Sequence, residues 1–142
     1  MASLAESFNP RERVKQEQGM ADTVILVVED EPLVGLEIQE CLGRKGFVVP
    51  EVVDSGDRVL EACIAHKPDL ILMDIKLKSF IDGIDAASRV KLLLNIPVIY
   101  LTAYSTQEVM NKAKGTEPAA YLTKPFDEEE LVAAIKAALE RK

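Results

Sequence analysis

The chain has no tryptophan, two cysteines and a single histidine among its 142 residues. Two cysteines exclude a disulfide-stapled scaffold, and Cys41 and Cys63 have neither the spacing of a metal knuckle nor that of a disulfide framework. Both fall in expected helices and read as small buried core residues. His66 shares a helical face with Val59 and Cys63 near the helix end, and reads as a helix-end residue, not a ligand or phosphodonor. A Lys/Arg-rich run is also missing: 17 basic residues stand against 24 acidic ones, for a net charge of −7. Direct nucleic-acid binding depends on neutralising phosphates and is therefore disfavoured. No apolar stretch approaches the length of a bilayer span, and the N-terminus lacks the apolar core of a signal peptide. The expectation is a cytoplasmic protein with no membrane role.

What is present is an ordinary globular composition, 48% hydrophobic and 29% charged, of a length that suits one domain with a single core. Residues 1–22 form a polar N-terminal extension. Within it Asn9-Pro10-Arg11-Glu12 has the N-cap, proline and glutamate of a helix start, and Gly19 suits a helix end, so one short helix over about residues 10–18 is expected. Met20 offers an alternative start.

From residue 23 to 142 short β-rich runs alternate with helical periodicity. Thr23–Val28 reads as a buried strand and leads into Glu29-Asp30-Glu31, with Pro32 opening a helix that buries Val34, Ile38, Cys41 and Leu42 and stops at Gly46. Phe47–Val53 is a second strand, placed at a sheet edge because Pro50 cannot donate to a ladder. Ser55 caps a helix burying Val59, Leu60, Cys63 and Ile64, which Pro68 closes. Asp69–Asp74 (D-L-I-L-M-D) is a strand buried on both faces. A polar loop follows, then a helix on Ile84, Ala87, Val90 and Leu94, ended before Pro97. Val98–Leu101 is the fourth strand. Ser105 and Glu108 pattern a capping box for a helix with only Val109, Met110 and Ala113 to bury, the most weakly held of the set. Ala119–Leu122 is the fifth strand, and Asp127 with Glu130 caps a last helix burying Leu131, Ile135 and Ala138. Five strands alternating with five helices require right-handed crossovers, hence a doubly wound (βα)5 domain of flavodoxin-like type. With strand two at an edge, the parallel sheet has the order 2-1-3-4-5.

That order brings chemistry to one rim. Strand one ends in Glu29 and Asp30, strand three in Asp74, strand four in Thr102 and strand five in Lys124. Taken singly, Glu29 or Asp30 suits an N-cap, Asp74 or Thr102 a turn or cap, and Lys124 a solvated surface charge. All five at successive strand ends are harder to obtain by accident. Three carboxylates on one rim are unfavourable without a cation. An oxygen-only donor set with room for water and phosphate suits Mg²⁺ better than zinc. Lys124 adds a positive point charge and Thr102 a hydroxyl, so the set can stabilise a phosphoryl group in transfer.

The segments V-V-E-D-E-P, L-I-L-M-D, Y-L-T-A-Y and Y-L-T-K-P-F, in that order over about residues 23–141, resemble the receiver domain of two-component response regulators. The resemblance implies that Asp74 accepts a phosphoryl group from a histidine kinase or a histidine phosphotransfer protein. It implies that Glu29, Asp30, Asp74 and the backbone carbonyl of Lys76 hold Mg²⁺, that Lys124 contacts the phosphoryl oxygens, and that Thr102 and Tyr121 form the conformational switch. It also implies a Lys124-Pro125 bond that is often cis, and an output face made of the fourth helix, fifth strand and fifth helix, with homodimerisation through that face one option. The sequence departs from the common pattern after Asp74. Lys78 and Ser79 stand where many receivers carry a proline, and the loop from Asp74 to Gly83 looks about one residue longer than usual. Lys76 and Tyr104 flank the site, and their long side chains are expected to screen an acyl phosphate from water.

The leading expectation is a stand-alone receiver signalling to partner proteins or passing phosphate along a relay. It is not an enzyme in the usual sense, but an acceptor that assists its own phosphorylation and dephosphorylation. A Mg²⁺-dependent phosphohydrolase with Asp74 as nucleophile is disfavoured, because such enzymes place a second acid two residues on, where this chain has Lys76. The third alternative is an interaction module that never receives phosphate.

Overall fold

In the computed structural model, residues 22–103 and 106–141 are described. The expected helix near residues 10–18, Met20, Tyr104 and Ser105 lie outside the described residues. Strand β1 (Ile25–Val28) leads into α1 (Pro32–Arg44), and β2 (Val52–Val53) is followed by a 3-10 turn (Gly56–Arg58) and α2 (Val59–His66). Then come β3 (Leu70–Asp74), α3 (Gly83–Leu93), β4 (Val98–Thr102), α4 (Gln107–Gly115), β5 (Ala120–Thr123) and α5 (Glu128–Glu140). All four strand pairings are parallel and the order is β2-β1-β3-β4-β5. This is the doubly wound arrangement that the alternation required.

Strand alternation divides the core in two. Ile25, Val27, Leu70, Leu72, Ile99, Leu101 and Leu122 face one layer, covered by Ile38 and Leu42 of α1 and by Leu131, Ile135 and Ala138 of α5. Leu26, Val28, Ile71, Met73 and Tyr100 face the other, with Val59, Ala62 and Cys63 of α2, Ala86, Ala87 and Val90 of α3, and Ala113 of α4. Each fully buried Leu or Ile contributes about 1.5–3 kcal/mol of transfer free energy, so β1 and β3, buried along their whole length, anchor both layers. Asp69 begins this architecture from the opposite end: its Oδ2 accepts the N–H of Val24 at 2.8 Å and ties the entries of β1 and β3 together.

Several local expectations are corrected. Strand two is far shorter than Phe47–Val53: only Val52 and Val53 pair continuously, with a lone bridge from Val48 to Val24. Pro50, which lacks an N–H, interrupts the ladder between them. Ser55 precedes the 3-10 turn without a side-chain cap bond, and α2 starts at Val59. Ile64, expected in the core, is exposed, because the short α2 turns only Val59, Ala62 and Cys63 fully inward. Cys41 is half-buried and not a core residue, lying at the margin of α1 where Glu128 approaches; Cys63 is buried, and both thiols are free. The cap of α4 is Thr106, whose side chain accepts the N–H of Val109. Asp127 caps α5 as expected, accepting from Glu130 N–H. His66 is the last residue of α2, with Nε2 3.3 Å from Glu51 Oε1. Among the described residues no helix is long and apolar enough to cross a membrane.

Candidate functional site

The carboxyl ends of β1 and β3 carry the acids because each strand stays apolar until it leaves the core. Glu29, Asp30 and Asp74 present one carboxylate oxygen each, all within 4.8 Å of one another. Glu29 and Asp74 are buried, while Asp30 is partly open to solvent. Lys124, arriving from the end of β5 beside a cis Lys124-Pro125 peptide, places Nζ 2.8 Å from Glu29 Oε1 and 3.3 Å from Asp74 Oδ2. Its backbone N–H donates to Thr102 O at 2.7 Å, joining the ends of β4 and β5. Thr102 is buried at the end of β4, one residue beyond Leu101, the cross-strand partner of Asp74. The five residues expected at one rim thus come from four strand ends that meet there.

The electrostatics show what this convergence costs. Burial raises the Asp74 carboxyl, and the hydrogen bond and charge of Glu29 raise it further. Lys124 and the Lys76 N–H, 3.0 Å from Asp74 Oδ1, pull the other way, and the balance is a pKa pushed up to about 6. Burial by itself lowers the Lys124 ammonium, but the hydrogen bond to Glu29 and the charges of Asp74 and Glu29 outweigh it and raise the pKa. One ammonium shared between two buried carboxylates, with a third beside them, leaves negative charge in excess. An all-oxygen donor set of this kind fits a hard divalent cation such as Mg²⁺.

The loop after Asp74 folds tightly back over the strand end. Gly83 N–H bonds Ile75 O at 3.1 Å, and a Cβ at Gly83 would overlap the carbonyl oxygen of Asp74, so only glycine permits this approach. Lys78 N–H donates to Asp30 Oδ2 at 2.7 Å. The loop therefore closes on the acids from the side of β1, and the Lys76 residue is exposed.

The profile of the response regulator receiver domain matches residues 25–136. The chain belongs to this receiver family. The receiver is 36% identical over 117 residues to the transcriptional regulatory protein PdtaR of Mycobacterium tuberculosis, covering 82% of this chain and 57% of that protein. It spans about half the length of the curated relatives it matches. Among solved structures, it resembles the signal receiver domain of a modulated diguanylate cyclase from Desulfovibrio desulfuricans, with a TM-score of 0.81, 30% identity, and coverage of 84% of this chain and 95% of that one. The BeF3-activated N-terminal receiver domain of Klebsiella pneumoniae RstA superposes with a TM-score of 0.76 at 29% identity, covering 82% and 98%.

Two features of the receiver escaped sequence reasoning. Tyr121 does not stand alone on β5. It is the cross-strand partner of Tyr100, and the two rings stack with centroids 5.9 Å apart. Tyr100 is fully buried with its hydroxyl 2.6 Å from Thr116 Oγ1, whereas the Tyr121 hydroxyl is buried without a hydrogen-bond partner among the described residues. The second feature is Ser79, whose Oγ accepts Gly56 N–H at 2.9 Å and donates to Ile81 O at 2.6 Å. Neither was visible before strand register and loop path were known.

Proposed function

We propose that this receiver accepts a phosphoryl group on Asp74 from a phosphohistidine protein, in a Mg²⁺-dependent step, and signals the result through the α4–β5–α5 face. The observation that carries this reading is the meeting of Glu29, Asp30 and Asp74 within 4.8 Å under the ammonium of Lys124.

Attack on phosphorus needs an ionised Asp74, and with a pKa near 6 it is mostly ionised at neutral pH. One Asp74 oxygen forms the new P–O bond as the P–N bond to the donor imidazole breaks, the nitrogen keeping the electron pair. Lys76 N–H holds the other oxygen and so orients the nucleophile. Lys124, now bonded to Asp74 and Glu29, is the group that exchanges a carboxylate contact for a phosphoryl oxygen. Glu29, Asp30, Asp74 and the backbone carbonyl of Lys76 are the residues to hold Mg²⁺, which when bound supplies charge neutralisation at the phosphoryl oxygens. Thr102 at the neighbouring strand end is placed to meet the new oxygens, and Tyr121 on the next strand is the aromatic that follows it. Lys76 and Tyr104 modulate access of water to the acyl phosphate.

The α4 helix supports a movable output face, since Ala113 is its only fully buried residue. Downstream proteins, and a second copy of the chain, are the partners for that face, with no direct nucleic-acid contact from this domain. The cytoplasm, where free thiols persist and Mg²⁺ is plentiful, is the setting that suits it.

Incubation with acetyl phosphate and MgCl₂ tests the reading. Intact-mass analysis should show one added phosphoryl group on the parent chain and none on Asp74→Asn. A parent chain that stays unlabelled leaves a binding module that never receives phosphate, and rapid turnover of assorted phosphate esters would instead indicate a hydrolase.

A further inference from the structure

The loop over residues 75–82 is held at two separated points. Lys78 N–H donates to the carboxylate of Asp30, a candidate cation ligand. The next residue, Ser79, uses both capacities of its hydroxyl: it accepts the N–H of Gly56 from the turn between β2 and α2, and donates to Ile81 within its own loop. The side chain is half-buried, so water competes weakly for these bonds. Gly56 is itself buried, and a Cβ there would overlap the Ile81 carbonyl oxygen. Loop and turn are thus in direct contact, with one hydroxyl bridging them. At the other end of the loop, Lys76 N–H is bonded to Asp74.

We propose that Ser79 is a positioning residue for the cation pocket: its hydroxyl straps the 75–82 loop to the Gly56 turn, and so aims Asp30 and the Lys76 backbone at the site. The inference rests on reading the pocket as a Mg²⁺ site, and it gives the loop that lacks the common proline a different means of holding its shape. Without the strap, the loop regains conformations in which Lys78 N–H leaves Asp30, and binding a cation must then order the loop again. The expected loss therefore falls on cation affinity and not on the chemical step once the cation is bound.

MgCl₂ titration of the full chain, followed by amide NMR shifts, reads this directly. Ser79→Ala should weaken Mg²⁺ binding by about tenfold, the lower end of what loss of a group supporting metal ligands costs. Amide exchange at Gly56 and Lys78 should quicken in the same variant. With acetyl phosphate, the Mg²⁺ concentration for half-maximal labelling should rise while the saturated rate stays within about twofold. Ser79→Thr, which keeps the hydroxyl, should restore affinity. If Ser79→Ala fails to fold, Ser79→Cys, which keeps the shape but weakens both hydrogen bonds, should show a loss in the same direction. Unchanged Mg²⁺ affinity in a folded variant overturns the proposal, as does a parent chain that binds no Mg²⁺. A parent chain that binds Mg²⁺ but takes no phosphoryl group defeats the acceptor reading, while the strap still stands or falls on the affinities.

Discussion

The two faces of the sheet are built from the same alternating strands yet are covered very differently. On the α1/α5 face, Leu131, Ile135 and Ala138 close over an all-aliphatic strand surface. On the other face, α4 buries only Ala113 fully, and beneath it lie two stacked tyrosines, one with a buried hydroxyl that has no partner among the described residues. Dry aliphatic packing has one good arrangement and resists change. A half-buried helix over an imperfectly satisfied polar group has less to lose by moving. The first face holds the strand ends in place; the second is the one through which, on the proposed reading, a change at Thr102 travels.

The contrast is broken most strongly by truncating equivalent positions on its two sides. Ile135→Ala in α5 should cost about 2–5 kcal/mol, whereas Val109→Ala in α4, a half-buried site, should cost well under that, about 1 kcal/mol or less. Denaturant midpoints at unchanged slope would measure both, and equal losses would erase the distinction between an anchored and a movable face.

At the rim where the faces end, Asp74→Asn should act in the opposite direction. Burial, with Glu29 adding to it, raises the Asp74 pKa to about 6 from the ordinary 3.8, so between those two pH values the folded protein holds a proton that the unfolded chain has released. Stability from that proton is fully present below the unfolded pKa and is lost as pH rises through about 6. In EDTA near pH 7, Asp74→Asn should therefore be more stable than the parent by about 1–3 kcal/mol, and the gain should shrink toward pH 5 as Asp74 takes up its proton. Thermal melts across that range check the sign; a gain that grows on acidification would contradict it.

The smallest effect sharpens the comparison within the α4 face. Tyr121→Phe removes the unpaired hydroxyl while keeping the ring on Tyr100, so it should raise stability by about 1 kcal/mol where Tyr→Phe changes in well-paired sites lower it. A loss on chemical denaturation would mean that the hydroxyl is satisfied after all.

The fold was legible because its signals are local. The apolar runs at Val24–Val28, Leu70–Met73 and Val98–Leu101, separated by helical periodicity, leave little choice but a parallel sheet with crossovers. Pro50 correctly pointed to an edge strand but hid how little of it pairs, since one missing N–H interrupts a ladder to either side. Ile64 and Cys41 were misjudged because periodicity locates a face but not how far the neighbouring layer extends over it. The cap of α4 was placed one residue early, as Ser105 and Thr106 carry the same chemistry and only geometry selects between them.

By itself, the sequence determined which residues end each strand, and therefore that Glu29, Asp30, Asp74, Thr102 and Lys124 lie on one rim. Strand identity and order follow from short-range patterns of burial and turn chemistry. Tertiary structure alone decided how those groups are paired: that Lys124 bridges Glu29 and Asp74, that Tyr100 stacks on Tyr121, and that Ser79 binds a turn 23 residues away. Such contacts depend on cross-strand register and on the path of a loop, where a displacement of one residue exchanges every partner, and no local pattern encodes that distance.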